Sequence, residues 1–194
     1  CPLSPELELS LPEHISNHII RVLRLEVGDM IHLFNGDGND YPSKITSLEK
    51  RGAKVRVLSC VLVGNESPLR IHLFQSIARG EKMDWILQKA TELGVAAFTP
   101  MVSDRTEVKL DQERSHKRLM HWQGVIRSAC EQSGRASIPA VHAPIAINRL
   151  DNASVLNQAF YLHPGAPLRA SELQTFEHPD VNLAIGPEGG FSER

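Results

Sequence analysis

The chain has 194 residues, of which 41% are hydrophobic and 23% are charged, and its formal net charge is -2. Such a chain can bury a core in one or two domains, and because it has no run of about 18 apolar residues we expect no membrane role. The near-neutral charge neither indicates nor excludes a nucleic-acid partner. Cys1, Cys60 and Cys130 are far apart and form no CxxC pair, which favours a reducing compartment, the cytoplasm, over a disulfide framework.

The first 66 residues carry mostly strand and turn signals. A helical segment, "PEHISNHIIRVLRLEVGD", places Ile15, Ile19, Val22 and Leu23 on one predicted apolar face and is expected to end at Gly28. Strand segments follow at "MIHLF", "PSKITSLEK" and "KVRVLSCVLV", with the turn cluster "NGDGND" after the first. The pattern predicts a small β-rich, barrel-like domain over residues 1–66.

Residues 67–194 alternate instead between strands and helices. Buried strands are predicted at "LRIHLFQSIA", "AAFTPMV", "QAFYLHPG" and "VNLAIGPEGG". Amphipathic helices are predicted at "EKMDWILQKATELGV", which Gly94 ends, and at "QERSHKRLMHWQGVIRSACEQSGR". This alternation predicts an α/β fold, a mostly parallel sheet with helices on its faces, and in such sheets ligands bind beyond the carboxyl ends of the strands.

The last predicted strand ends in a loop with little side-chain cover, "GPEGG". Gly186, Gly189 and Gly190 leave backbone N–H and C=O groups accessible, so that a flat or polar ligand can be held closely by hydrogen bonds. The loop is neither a P-loop nor the GxGxxG fingerprint, and an ordinary tight turn is the alternative. A similar loop, "YLHPGAP", ends the preceding strand, and two such loops on neighbouring parallel strands would line one crevice.

Metal-dependent and covalent chemistry are both disfavoured. Among nine histidines, His14 and His18 are four residues apart, but no Cys, Asp or Glu completes a ligand set at a characteristic spacing, so we expect no metal site. There is no GxSxG motif, and Cys130 falls on the apolar side of a predicted helix, where a packed thiol is expected. The segment "EQSGR" places Arg135 at the end of that helix, facing either a crevice or solvent.

A resemblance spans nearly the whole chain and rests on the order of "HIIRVLRLEVGD", "RGEKMDWILQKATELGV", "SDRTEVK", "CEQSGR" and "AIGPEGGFS". The chain resembles the ribosomal RNA small subunit methyltransferase E family of the SPOUT superfamily. The resemblance implies a PUA-like RNA-binding domain followed by an α/β methyltransferase domain with a deep trefoil knot. It also implies a homodimer that transfers a methyl group from S-adenosylmethionine to N3 of a uridine in 16S ribosomal RNA of the small subunit.

The resemblance also implies roles for individual residues. The residues that match the family's cofactor loops are Leu162, His163, Pro164, Ile185, Gly186, Pro187, Glu188, Gly189 and Gly190. Arg21 and Arg24 match the N-terminal motif and are expected to contact RNA, whereas Arg105 and Arg135 match arginines expected near the substrate. The family pattern continues with a segment that completes the knot and a third cofactor loop. A protein that ended at Arg194 is therefore expected to have an incomplete pocket and little activity.

The implied reaction needs no enzyme nucleophile, because methyl transfer from a sulfonium is an in-line displacement in which positioning supplies much of the catalysis. Uracil N3 must lose its proton, and Arg105 or Arg135 could stabilise the charge that develops on the flanking carbonyl oxygens. Two alternatives stay open. One is a non-catalytic RNA-binding protein with a dimerising α/β scaffold, and the other is an enzyme that binds a different nucleotide in the same crevice.

Overall fold

The protein is described by a computed structural model over residues 2–50, 52–102, 112–149, 158–163, 165–167, 169, 172 and 178–187. The chain folds into two compact units. The N-terminal unit comprises Cys1–Asn65 together with Arg135–Ser137, and the C-terminal unit comprises Glu66–Gly134 together with Ile138–Arg194. Within the described ranges, no helix is both long and apolar enough to cross a membrane.

The N-terminal unit contains an antiparallel sheet and one short helical segment. Its elements are β1 (Glu8–Ser10), α1 (Glu13–Asn17), a π-helix (His18–Leu23), β2 (Met30–Leu33), β3 (Asn39–Glu49), β4 (Gly52–Val57) and β5 (Val61–Leu62). The strands are ordered β1-β4-β3-β2 with β5 paired to β3, and every pairing is antiparallel. The predicted strands are confirmed, except that "KVRVLSCVLV" forms two strands, β4 and β5, rather than one.

A small core and one buried hydroxyl hold the helical segment on this sheet. The buried core side chains are Leu11, Ile19, Ile45, Ala53 and Val55. The hydroxyl of the fully buried Ser16 donates to the carbonyl oxygen of Leu11 at 3.2 Å and accepts from the N–H of Ala53 at 3.0 Å. A buried hydroxyl without partners would cost free energy, and these two bonds avoid that cost. The bond to Ala53 also connects α1 to β4.

The predicted apolar face of the helical segment is wrong for most of its members. The exposed members are Ile15, Val22 and Leu23. Val22 is 65% exposed, whereas Ile19 is buried at 4%. The reason is the π-helix, whose i→i+5 hydrogen bonds widen the turn and rotate α-spaced side chains out of line. The segment also ends earlier than Gly28, because Arg24 takes a left-handed conformation at φ 54° and ψ 40°.

The C-terminal unit forms, over its described residues, a six-stranded parallel sheet. Its elements are β6 (Arg70–Ser76), α2 (Lys82–Glu92), β7 (Ala97–Val102), α3 (Gln112–Ser133), β8 (Ala140–Val141), β9 (Ile145–Ala146), a 3-10 turn (Ile147–Arg149), β10 (Ala159–Tyr161) and β11 (Asp180–Ile185). The order is β10-β11-β6-β7-β8 with β9 paired to β7, and every pairing is parallel. The predicted mostly parallel sheet is thus confirmed, although β8 and β9 are not among the predicted strands.

Two strand–helix–strand connections, β6-α2-β7 and β7-α3-β8, form the centre of this unit. The buried side chains of the two helices are Met83, Leu87, Thr91, Trp122, Ile126, Ala129 and Cys130. Gly94 follows α2 with a left-handed φ of 95°, as predicted for the residue that ends this helix. The helical periodicity of the sequence therefore places these helix faces correctly, except at Leu93, which was expected on the apolar face of α2 and is 84% exposed.

Candidate functional site

Two loops leave the C-terminal sheet side by side, at the carboxyl ends of β10 and β11. In these parallel neighbours Tyr161 pairs with Ala184, and the N–H of Leu162 donates to the carbonyl oxygen of Ala184 at 3.1 Å. The sequence-predicted cofactor residues brought together at this edge are Leu162, His163, Ile185, Gly186 and Pro187. The prediction that the two loops follow neighbouring parallel strands is confirmed, and the cofactor role stays a prediction.

The loop after β10 is a compact turn with an ordered histidine. The N–H of Gly165 donates to Nδ1 of His163 at 3.1 Å, and the N–H of Ala166 donates to the carbonyl oxygen of His163 at 3.0 Å. Because Nδ1 accepts a hydrogen bond, the neutral imidazole carries its proton on Nε2. Tyr161, 65% exposed, packs edge-on to His163 at a ring-centroid distance of 6.4 Å. The edge thus offers an aromatic surface beside a hydrogen-bond donor.

The neighbouring strand β6 ends in a buried hydroxyl that sequence reasoning missed. Ile185 pairs with Gln75, so the next residue of β6, Ser76, lies level with the start of the glycine loop. Ser76 is 1% exposed, and its Oγ has no hydrogen-bond partner among the described residues. A buried hydroxyl without a partner costs free energy unless a ligand or another group satisfies it. A polar pair, Gln75 and Ser76, within the mostly apolar run "IHLFQSIA" was the available sequence signal.

A histidine lies on the same sheet, further from this edge. Nε2 of His72 is 2.8 Å from the hydroxyl of Thr99, and its ring stacks on Phe74 at a centroid distance of 4.2 Å. The ring of His142 is 5.3 Å away. Burial, and secondarily the nearby His142, lowers the pKa of His72 to about 4. His72 therefore stays neutral at physiological pH and acts as a packed polar group rather than a proton carrier.

Three of the four predicted arginines fall in the described residues, and all three belong to the N-terminal unit. Arg21 lies in the π-helix and Arg24 at its end, both with exposed side chains on the N-terminal unit. Arg135 is only 7% exposed and belongs to the three-residue segment grouped with the N-terminal unit. The predicted site residues that lie outside the described residues are Arg105, Pro164, Glu188, Gly189 and Gly190.

A second concavity lies between α2 and α3 and has a volume of about 710 Å³. Trp85 and Met120 line it with exposed apolar side chains, and Nε2 of His121 is 2.7 Å from a carboxylate oxygen of Asp84. The groove opens between helices and not beyond strand ends, so it lacks the paired backbone loops of the carboxyl edge. Across the part of the chain that the structure describes, no three metal-ligating side chains come together, and the expectation of no metal site stays a prediction.

The chain matches known family models along most of its length. Residues 65–194 match an RNA methyltransferase domain, and residues 11–58 match an RNA methyltransferase PUA domain. The class is therefore an RNA methyltransferase whose catalytic domain follows a PUA domain. Ribosomal RNA small subunit methyltransferase E of Buchnera aphidicola (subsp. Schizaphis graminum) is 32% identical over 185 residues, 95% of this chain and 75% of that protein. The chain belongs to the ribosomal RNA small subunit methyltransferase E family.

Solved structures and a second relative are consistent with this assignment. The protein of the same name from Bacillus subtilis is 33% identical over 125 residues, 64% of this chain and 49% of that protein. The Neisseria gonorrhoeae family member, bound to S-adenosylmethionine, has a TM-score of 0.88 and 38% identity and covers 99% of this chain and 79% of its own. A Legionella pneumophila protein in complex with the bound cofactor has a TM-score of 0.92 and 38% identity over 100% of this chain and 79% of its own. The resemblance stated from the sequence is confirmed.

Proposed function

We propose that this protein transfers a methyl group from S-adenosylmethionine to N3 of a specific uridine in 16S ribosomal RNA of the small subunit. The observation that carries the proposal is the pair of loops at the carboxyl ends of β10 and β11, which are parallel neighbours. This is the edge at which open parallel sheets bind ligands. Membership of the family, and the cofactor held by the two structures of the same fold, support the choice of cofactor.

The residues at this edge suit a nucleoside with a charged amino-acid tail. Gly186 leaves the backbone approachable, and the exposed Tyr161 and Leu162 provide apolar surface for a base. The unpaired hydroxyl of Ser76 offers a donor and an acceptor to a polar group of the ligand. S-adenosylmethionine supplies a methyl group on a sulfonium, which a nitrogen nucleophile can attack directly. The protein's part is therefore to bind, to orient and to exclude water.

Arginines are the proposed groups that act on the RNA. Uracil N3 reacts as the anion, so charge develops on the two flanking carbonyl oxygens, and a guanidinium of Arg135 or Arg105 would stabilise that charge. Burial of Arg135 supports this role, since a charge with little solvent around it interacts more strongly with a developing anion. Arg21 and Arg24 are exposed, which suits contacts with phosphates.

The finer features of the fold and assembly are part of the same proposal. Residues 1–66 would form the PUA-like barrel domain and residues 67–194 the methyltransferase domain, in which the chain forms a trefoil knot. The antiparallel N-terminal sheet and the parallel C-terminal sheet support this division. The protein would act as a metal-free homodimer in the cytoplasm, with Pro164, Glu188, Gly189 and Gly190 completing the two cofactor loops.

The test uses the full-length gene product with cofactor and RNA. Calorimetry should show binding of both S-adenosylmethionine and S-adenosylhomocysteine, and incubation with small subunits should yield methylated 16S RNA. Mass spectrometry of the digested RNA should then identify 3-methyluridine. Binding of RNA without either cofactor would instead support a non-catalytic RNA-binding protein, and a methyl group on another atom or base would contradict the proposed specificity.

A further inference from the structure

The segment that carries Arg135 is held by the N-terminal unit. After α3 ends at Ser133, Gly134 turns the chain with a left-handed φ of 70°, and residues 135–137 group with the N-terminal unit before the chain returns to the C-terminal unit. Arg135 and Ala136 are 7% and 2% exposed. The segment is therefore a packed part of that unit and not a loose linker.

A turn between β2 and β3 makes the contacts that hold this segment. The N–H of Gly38 donates to the carbonyl oxygen of Ala136 at 3.3 Å, and Gly36 and Asp37 form β-bridges with Ser137. On its other side Gly38 accepts a hydrogen bond from the N–H of Val63 at 3.1 Å. We call residues 35–38 and their contacts with residues 136 and 137 the clamp.

Glycine is required at the centre of the clamp. Gly38 has φ +87°, a backbone conformation that residues with a side chain rarely adopt. A Cβ at this position would lie 3.2 Å from Oγ of Ser137, closer than an ordinary contact. A side chain at residue 38 would therefore force Oγ of Ser137 to give way by a few tenths of an ångström and would strain the left-handed backbone that donates to Ala136.

The turn is itself rigid, because side chains fix it from within. One carboxylate oxygen of Asp37 accepts from the hydroxyl of the buried Tyr41 at 2.5 Å, and the other accepts from the N–H of Asn39 at 2.9 Å. The N–H of Asp37 donates to Oδ1 of Asn35 at 3.1 Å. The hydrogen bond from Tyr41 lowers the pKa of Asp37, so this carboxylate stays ionised at neutral pH.

We propose that the clamp positions Arg135 for methyl transfer, and that Gly38 is a positioning residue whose contacts set the backbone from which the arginine extends. The inference rests on the proposed role of Arg135 as the group that stabilises charge on the substrate. An arginine side chain has several rotatable bonds, so its guanidinium is placed accurately only if its backbone is fixed. A displacement of about 1 Å at a catalytic group can lower a rate roughly 100-fold.

The alternative is that the clamp only stabilises the fold. The two roles differ in what they predict for kinetics. A purely structural contact would change the melting temperature and leave the turnover of the folded protein unaltered. A positioning contact would lower kcat while the dissociation constant of the cofactor, which binds at the edge of the C-terminal sheet, stays the same.

The experiment compares Gly38→Ala with Gly64→Ala in the full-length protein. Gly64 also has a left-handed φ, +63°, but a Cβ there would meet nothing within 4 Å, so this variant carries backbone strain without touching residues 135–137. We expect Gly38→Ala to lower kcat by roughly tenfold or more, with S-adenosylmethionine binding within about twofold of wild type. Gly64→Ala should keep wild-type kcat. Hydrogen exchange of the peptide that contains residues 135–140 should rise in Gly38→Ala alone.

A rescue variant separates displacement from unfolding. Ser137→Ala removes the oxygen that a Cβ at residue 38 would meet, so the double variant Gly38→Ala/Ser137→Ala should regain part of the kcat that Gly38→Ala loses. Equal kcat in Gly38→Ala and Gly64→Ala would overturn the inference, as would a kcat loss without faster exchange at residues 135–140. Absence of methyl transfer by the wild type would overturn the proposed function itself, which is a distinguishable result.

Discussion

The proposed cofactor edge and the two proposed RNA-contacting arginines of the N-terminal unit are built in opposite ways. The edge is backbone that becomes contiguous only when strands at residues 70–76, 159–161 and 180–185 pair. The arginines are two exposed side chains three residues apart, Arg21 in the π-helix and Arg24 at its end. Changes at the edge should therefore disrupt a whole binding surface, whereas a change at either arginine should remove one charge. Arg135 combines the two cases, because it is a charged side chain that is buried.

Arg135→Ala is expected to have the largest effect. Loss of a preorganised charge at the developing oxyanion should lower kcat by roughly 100-fold or more, with S-adenosylmethionine affinity almost unchanged. Arg135→Lys keeps the charge but loses the planar fork, so its kcat should fall less. Single-turnover methylation of small-subunit RNA measures both. Arg127→Ala, at an exposed position of α3, is the control; a wild-type rate in Arg135→Ala would contradict the assignment.

Gly186→Val tests whether the edge acts through its backbone. A side chain where the ligand should approach the main chain is expected to remove about two hydrogen bonds, which is roughly 30- to 100-fold in the dissociation constant of S-adenosylmethionine. Gly124→Val is the matched control, because Gly124 lines the groove between α2 and α3. If Gly124→Val weakens cofactor binding and Gly186→Val does not, the groove and not the edge is the cofactor site.

The sheet that carries the edge should also respond to pH through His72. Its pKa of about 4 lies below the ordinary 6.5, so the unfolded state binds more protons between these values. The contribution of the neutral His72 to the free energy of unfolding is fully present above pH 6.5 and is lost as the pH falls toward 4. Because the ring is only half-buried, we expect a loss of about 1–2 kcal/mol. Urea unfolding at pH 7 and pH 5 measures it.

A matched pair of variants isolates the contribution of His72. His72→Gln should show a smaller drop in stability between the two pH values than the wild type. His116→Gln, at an exposed position of α3, should keep the wild-type drop. An identical pH dependence in His72→Gln and wild type would show that other groups account for the acid sensitivity of the sheet.

The smallest effect is expected from Arg24→Gly, at the end of the π-helix. Arginine at φ 54° is strained, so glycine should stabilise the N-terminal unit by about 1 kcal/mol. RNA affinity should fall a few-fold, and the slope of log K against log salt should decrease by about 0.7–0.9 for each lost phosphate contact. Arg21→Ala should lower the slope without the gain in stability. Unchanged salt slopes in both variants would remove the arginines from the RNA interface.

The parallel sheet and the adjacency of its two loops were predictable, because buried strands that alternate with helices have few alternative arrangements. The buried face of the helical segment at residues 13–23 was not predictable. A π-helix leaves no distinctive periodicity, so Val22 and Leu23 were expected to be buried and are exposed. The strands β8 and β9 have two residues each, too few for any pattern to show.

Two features of the candidate site depend on distant parts of the chain. The hydroxyl of Ser76 lies level with the glycine loop only because β6 pairs with β11, whose residues follow more than 100 positions later. The same holds for residues 135–137, which pair with the turn at residues 36–38. Sequence patterns report local periodicity, so contacts of this kind required the folded structure.

The short excursion of residues 135–137 has a consequence for recombination between relatives. A crossover placed in the connection near residue 65 would transfer the N-terminal sheet but leave behind three residues that complete it. Such a chimaera would join the turn at residues 35–38 from one parent to residues 135–137 from another. The residue at position 38 would then no longer be matched to the residue at position 137. A hybrid enzyme should therefore retain its function only when both pieces are inherited from the same parent.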